Sequence, residues 1–180
     1  AKEFESTPAG KERLRYVTNH DACSETSNSS AYKTPEGMLA ASVVTYFLGG
    51  VPLIYSSQEI GYMKQINFCV APGKSVLMNW NENADILKAT KQLMAAYHAT
   101  ATLRGGKQEI FQSSADVACI TYTSDAGSLA VVVNIRNTET AFSLPMSLQN
   151  HEAENVLTAA KETLGRSLTL PAFGYKIYKW

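Results

Sequence analysis

The side chains best suited to chemistry lie in Thr18-Asn19-His20-Asp21, where a short apolar run gives way to polar sequence. A carboxylate beside an imidazole and an amide can hydrogen-bond a polyhydroxylated ligand. The same three residue types are also ordinary loop formers. A second polar pair, Gln58-Glu59, follows the apolar run Val51–Tyr55. Glu59 there could equally bind loop amides as a cap. Phe173, Tyr175, Tyr178 and Trp180 could stack on sugar rings, although their alternation along a last strand reads more simply as core and edge. His98 and His151 have no Cys, His or carboxylate at ligand spacing. No glycine-rich phosphate loop and no Gly-x-Ser-x-Gly elbow is present. Cys23, Cys69 and Cys119 are too few and too widely spaced for a disulfide framework or a zinc site.

These residues need elements to hold them. Arg13–Asn19 reads as a β-rich strand running into a polar loop, His20–Ser30. Thr34-Pro35-Glu36 is a helix start: a capping hydroxyl, proline at the first helical position and an acid at the positive end. That helix runs to about Leu48, is apolar on more than one face, and stops at Gly49-Gly50. Val51–Tyr55 is then a strand covered on both faces, with Pro52 tolerated at its start. A loop with Ala71-Pro72-Gly73 leads to an amphipathic helix over Asp85–Leu103. The first half therefore predicts two parallel βα units. At such strands, ligands gather at the carboxyl ends, where both polar clusters fall.

After Arg104-Gly105-Gly106 the pattern changes to period two. Seven strands are expected, at 109–112, 117–123, 129–136, 141–144, 154–158, 167–170 and 175–179, forming an antiparallel β-sandwich. The expected fold is α/β followed by all-β, with the boundary between residues 1–104 and 105–180.

Composition narrows the function classes. Of the 180 residues, 45% are hydrophobic, which excludes wholesale disorder. Sixteen basic and sixteen acidic residues cancel, and no Lys/Arg cluster provides the footprint of a nucleic-acid or anionic-membrane binder. Gly37–Gln58 carries no charge, but Gly49, Gly50 and Pro52 divide it, so no membrane span is expected. Ala1 is not an initiator Met, and residues 1–12 lack a signal-peptide core, so a processed product or excised piece is expected.

Taken together, these motifs resemble the C-terminal part of an α-amylase-family glycoside hydrolase. Arg13-Leu14-Arg15-Tyr16-Val17-Thr18-Asn19-His20-Asp21 is similar to that family's seventh-strand motif, and Gly50–Gly61 to its eighth. The intervening helix, Trp80, and the helix ending near Arg104 are similar to the rest of the last two βα units of a (β/α)8 barrel. The β-rich remainder resembles the family's C-terminal all-β domain. Ser57 departs from the pattern by standing where glycine is expected in a tight turn.

The resemblance implies a retaining hydrolase of α-linked glucans such as starch and maltooligosaccharides. It makes Asp21 the catalytic residue that stabilises the transition state by bonding two sugar hydroxyls. His20 becomes a substrate-binding residue, and Asn19 shapes the loop beside them. The family's nucleophilic Asp and acid/base Glu belong to strands that precede this chain, and no segment here resembles either. A retaining enzyme needs both, ~5–5.5 Å apart. The isolated chain is therefore expected to be inactive, with its barrel edge calling for the missing N-terminal portion or for self-association. No cofactor is evident. The resemblance allows calcium in the full-length enzyme and implies export, secreted or periplasmic. Two other classes compete: a non-catalytic carbohydrate-binding or interaction scaffold of the same ancestry, and a free-standing carbohydrate-binding sandwich with a helical extension.

Overall fold

The structure is a computed structural model that describes residues 7–8, 10–67, 76–111 and 115–180. Cys69, Ala71-Pro72-Gly73 and Gln112 lie outside the described residues. Strands β1 (Leu14–Arg15) and β2 (Val51–Pro52) pair in parallel, Leu14 opposite Val51 and Arg15 opposite Pro52. Both are shorter than expected. The last bond between them is Leu53 N donating to the Arg15 carbonyl at 2.7 Å, just past β2. Gly50 (φ +94°) reverses the chain into β2. A Cβ there would strike the Arg13 carbonyl, which instead accepts from Val51 N at 2.9 Å.

The segment expected as loop, His20–Ser30, is largely helical: α1 (His20–Glu25) and α2 (Asn28–Tyr32). Their polar composition hides them, since Cys23 and Asn28 alone are fully buried. Helix α3 (Pro35–Phe47) starts as expected, with Thr34 Oγ1 accepting from Gly37 N at 3.1 Å. Met38, Ala40, Val43, Tyr46 and Phe47 are all at most 1% exposed, so α3 is buried around most of its girth. Burying a side chain the size of Met38, Val43 or Phe47 contributes about 1.5–3 kcal/mol. The long helix expected over 85–103 is two segments, α4 (Ala84–Ala99) and α5 (Ala101–Arg104). The buried Thr100 turns its hydroxyl back onto the Ala96 carbonyl at 2.8 Å and breaks the run.

The remaining strands are β3 (Lys107–Phe111), β4 (Val117–Ser124), β5 (Gly127–Asn134), β6 (Thr140–Ser143), β7 (Glu152–Asn155), β8 (Lys161–Thr163), β9 (Ser167–Leu170) and β10 (Tyr175–Lys179). Six form one antiparallel sheet in the order β3-β4-β5-β10-β7-β8; β6 and β9 form a separate pair. Strand β8 was not anticipated. It is three polar residues with no apolar period, held in place by a hairpin with β7.

The period of two divides the large sheet between two cores. Leu129, Val131 and Val133 of β5, with Ile120, Tyr122 and Ile177, face α3 and α4. Ala130 and Val132, with Val117, Cys119 and Tyr178, face Phe142 and Leu170 of the small pair. The architecture is thus one large sheet with helices on one face and a two-stranded pair on the other, rather than two comparable sheets. Two bonds lock the helical layer to the sheet: Tyr122 Oη (2.8 Å) and Gln108 Nε2 (3.3 Å) both donate to the Phe47 carbonyl at the end of α3. No helix among the described residues is long and apolar enough to cross a membrane.

Candidate functional site

Asn19, His20 and Asp21 sit where the chain leaves β1 and enters α1. Asn19 is extended (φ −148°) and its Oδ1 accepts from Ala22 N at 2.8 Å, capping α1. That bond places His20 and Asp21 on the first turn. Their side chains are 51% and 69% exposed, and His20 Nε2 lies 3.4 Å from Asp21 Oδ1. Beneath them Cys23 is buried, its thiol directed at the carbonyls of His20 and Ile66, both at 3.6 Å. Burial raises the pKa of the Cys23 thiol.

The end of β2 contributes differently from expectation. Tyr55 is brought to His20, with ring centroids 6.5 Å apart and planes inclined by 53°. Burial, and then the neighbouring Cys23, raises the Tyr55 pKa. Sequence reasoning did not single out Tyr55; its place as the last apolar residue of the Val51–Tyr55 run was the available signal. Ser57, where glycine was expected, does adopt the left-handed conformation (φ +63°), and its hydroxyl donates to the Ser56 carbonyl at 2.6 Å.

Gln58 does not face the rim. It is 5% exposed, and its Nε2 donates to Ser42 Oγ (3.2 Å) and Tyr46 Oη (3.0 Å) of α3, while Oε1 accepts from Tyr55 N (3.3 Å). It is an interior clamp between β2 and α3. Glu59 is half-buried, and its Oε2 is enclosed without a hydrogen-bond partner, so that oxygen does not cap loop amides. Burial pushes the Tyr46 hydroxyl up to about 12; the Ser42 bond opposes this, Glu59 adds to it, and the Gln58 bond opposes it.

The other candidates lie apart from His20. Phe173 and Tyr175 pack against the helix-facing core, and Tyr178 is buried with its hydroxyl donating to Glu162 Oε2 at 2.9 Å. Trp180 stacks on His151 at 5.2 Å, and His98 is exposed. Cys23 and Cys119 are free and buried. Among the described residues no group of three or more His, Cys, Asp or Glu is placed to hold a metal.

No protein-family model and no curated protein matches the chain. Solved structures do match it. An α-amylase from Lactobacillus plantarum superposes with a TM-score of 0.76 at 18% identity, over 99% of this chain and 40% of that one. AmyP, solved in complex with maltose, gives 0.73 at 16% identity over 99% and 42%. The trehalose-6-phosphate hydrolase of Bacillus licheniformis gives 0.69 at 16% identity over 94% and 43%. The chain therefore spans about two fifths of the length of the structures it matches. Its structural neighbours are α-amylase-family glycoside hydrolases, and its mixed helical and antiparallel-sheet fold is consistent with the C-terminal region of that family.

Proposed function

We propose that this chain is the C-terminal part of a retaining glycoside hydrolase acting on α-linked glucans. Residues 1–104 belong to the last two βα units of its catalytic barrel, and residues 105–180 form its C-terminal β domain. The observation that carries the reading is the presentation of His20 and Asp21. They stand side by side and exposed at the carboxyl end of a parallel strand, with Asn19 spent on fixing the turn that presents them.

In this reading the Asp21 carboxylate accepts hydrogen bonds from two adjacent hydroxyls of the sugar being cleaved. Those bonds shorten as the ring flattens towards an oxocarbenium-like state, so they favour the transition state over bound substrate. His20 bonds a hydroxyl of the same sugar, and the ring of Tyr55 limits its rotation. The nucleophile and the general acid come from the remainder of the parent. The partners are thus an α-glucan or maltooligosaccharide and the N-terminal portion of the barrel.

The test is Asp21→Asn in the parent enzyme on maltooligosaccharides. Asparagine keeps the size but loses the charge, and kcat is expected to fall ~100-fold or more with little change in melting temperature. Unchanged kinetics with a lowered melting temperature assigns Asp21 to turn structure instead. The isolated 180-residue chain is expected to show no turnover.

A further inference from the structure

Strand β8 closes one edge of the large sheet and has little to hold it there. It pairs with β7 alone. The turn that joins them carries Ala159 in the left-handed region (φ +59°), a costly conformation for alanine. Lys161 and Thr163 are exposed. The buried Leu164 fixes the far end, where its N donates to the His151 carbonyl at 2.9 Å.

Glu162 is different. The register places it opposite Ala153 of β7, which is buried against the small pair. From there its carboxylate reaches across β7 to β10. Oε2 accepts from Tyr178 Oη at 2.9 Å, and Oε1 lies 3.5 Å from Lys176 Nζ. The Asn155 side chain, at the start of the turn, adds a further bond. Tyr178 is 1% exposed, so its hydroxyl depends on this acceptor. The neighbouring charges divide by face. Glu152, Glu154 and Lys161 alternate with Ala153 and Glu162 and stand on the other side of the sheet. There Lys161 pairs with Glu152 at 3.7 Å, and Lys179 with Glu154 at 3.0 Å. The small pair meets the Glu162 side through the apolar Phe142 and Leu170. Among the described residues, Lys176 is thus the charge that faces the Glu162 carboxylate, and Tyr178 is its titratable neighbour.

We infer that Glu162 is an acid-released latch: its carboxylate ties β8 across β7 to β10, and protonation lets the edge strand open. The reasoning does not depend on the reading of His20 and Asp21. Burial alone would raise the carboxyl, but the Tyr178 bond, the Lys176 charge and the Asn155 bond outweigh it and hold the group below the usual carboxylate range. A group lowered in this way stabilises the fold in full above its unfolded value, and the contribution is lost as pH falls through the folded value. The neutral carboxyl forfeits the Lys176 attraction and the charge-assisted bond from Tyr178. An opened β8 bares the edge of β7, whose N–H and C=O groups are then a template for a strand of a second chain.

Amide hydrogen exchange, followed by NMR on the 180-residue chain, is the test. Ala153, opposite Glu162 in the ladder, reports the latch, and Val131, paired on both sides in β5, reports opening of the whole sheet. From about pH 6 down to about pH 3, protection at Ala153 is expected to fall about 10-fold further than at Val131. Glu162→Gln, at a part-exposed position, should abolish that excess and lower Ala153 protection already at neutral pH. Tyr178→Phe keeps the buried ring, deletes the hydroxyl, and should lower it by a smaller factor. Ala153 protection that tracks Val131 at every pH, or a Glu162→Gln chain protected like the original, overturns the inference.

Discussion

Replacing Gln58 by leucine tests the idea that the rim is fixed from inside. The substitution deletes three hydrogen bonds, of 3.0, 3.2 and 3.3 Å, to Tyr46, Ser42 and the Tyr55 amide. At about 1 kcal/mol each they amount to about 3 kcal/mol. Ser42 loses little, because its hydroxyl still donates to the Met38 carbonyl at 2.8 Å. The Tyr55 amide and the Tyr46 hydroxyl are left without these partners in a nearly closed site, which adds cost, while the apolar leucine recovers about 1 kcal/mol. The balance is a loss of roughly 2–4 kcal/mol. With a urea slope of about 2 kcal/mol/M, this moves the midpoint down by about 1–2 M. Gln58→Glu should be worse, because a carboxylate cannot donate to Ser42 or Tyr46 and sits beside Glu59. A Gln58→Leu midpoint within about 0.2 M of the original would refute the clamp.

Stability should fall in base. Burial raises Tyr46 and Tyr122 from 10.0 to about 12, and Cys119 from 9.0 to about 12. The fold thus favours their protonated forms, whose stabilisation is complete below the ordinary values and is lost as pH climbs through about 12. Tyr122→Phe should flatten that arm by about 3 kcal/mol in urea titrations between pH 8 and 12; an unaltered slope rejects the assignment. Ser57→Gly should raise stability by about 0.5–1 kcal/mol in thermal melts, since relief of the left-handed serine outweighs the added freedom of the unfolded chain; a lower melting temperature contradicts this. The two-stranded β1–β2 ribbon leaves Leu14 56%, Tyr16 46% and Val51 46% exposed, so concentration-dependent association is expected by sedimentation and should weaken in Val51→Lys. A monomer at every concentration argues against an open edge there.

The elements legible beforehand were those whose signal is local. Thr34-Pro35 announced α3, and the alternation of Val117–Thr123 announced β4, because caps and period two act within a few residues. The helical state of His20–Glu25 was not legible. Six residues with one buried side chain show no period, and the Asn19 cap looks like any loop asparagine. Strand length was overestimated for Val51–Tyr55 because ladder bonds depend on a neighbour that composition does not reveal. Within the candidate site, the Asn-His-Asp run could be located by type and order. The inward turn of Gln58 onto Ser42 and Tyr46, 16 and 12 residues away, and the approach of Tyr55 to His20, 35 residues away, depend on how separate segments meet, and no spacing encodes that.

The bonds to the Phe47 carbonyl have a bearing on how such a chain can be recombined. Their donors come from 61 and 75 residues further along, and the apolar layer they close contains Val43 and Leu93 together with Val131 and Ile177. A cut at the change of sequence pattern near Gly105 would therefore part an apolar layer to which both halves contribute. A graft cut there would carry away the floor on which α3 and α4 rest and expose Leu129, Val131 and Val133 on the transplanted piece. Crossovers that preserve a working chimera belong upstream of Thr34, so that α3, α4 and the sheet pass together as one inherited block.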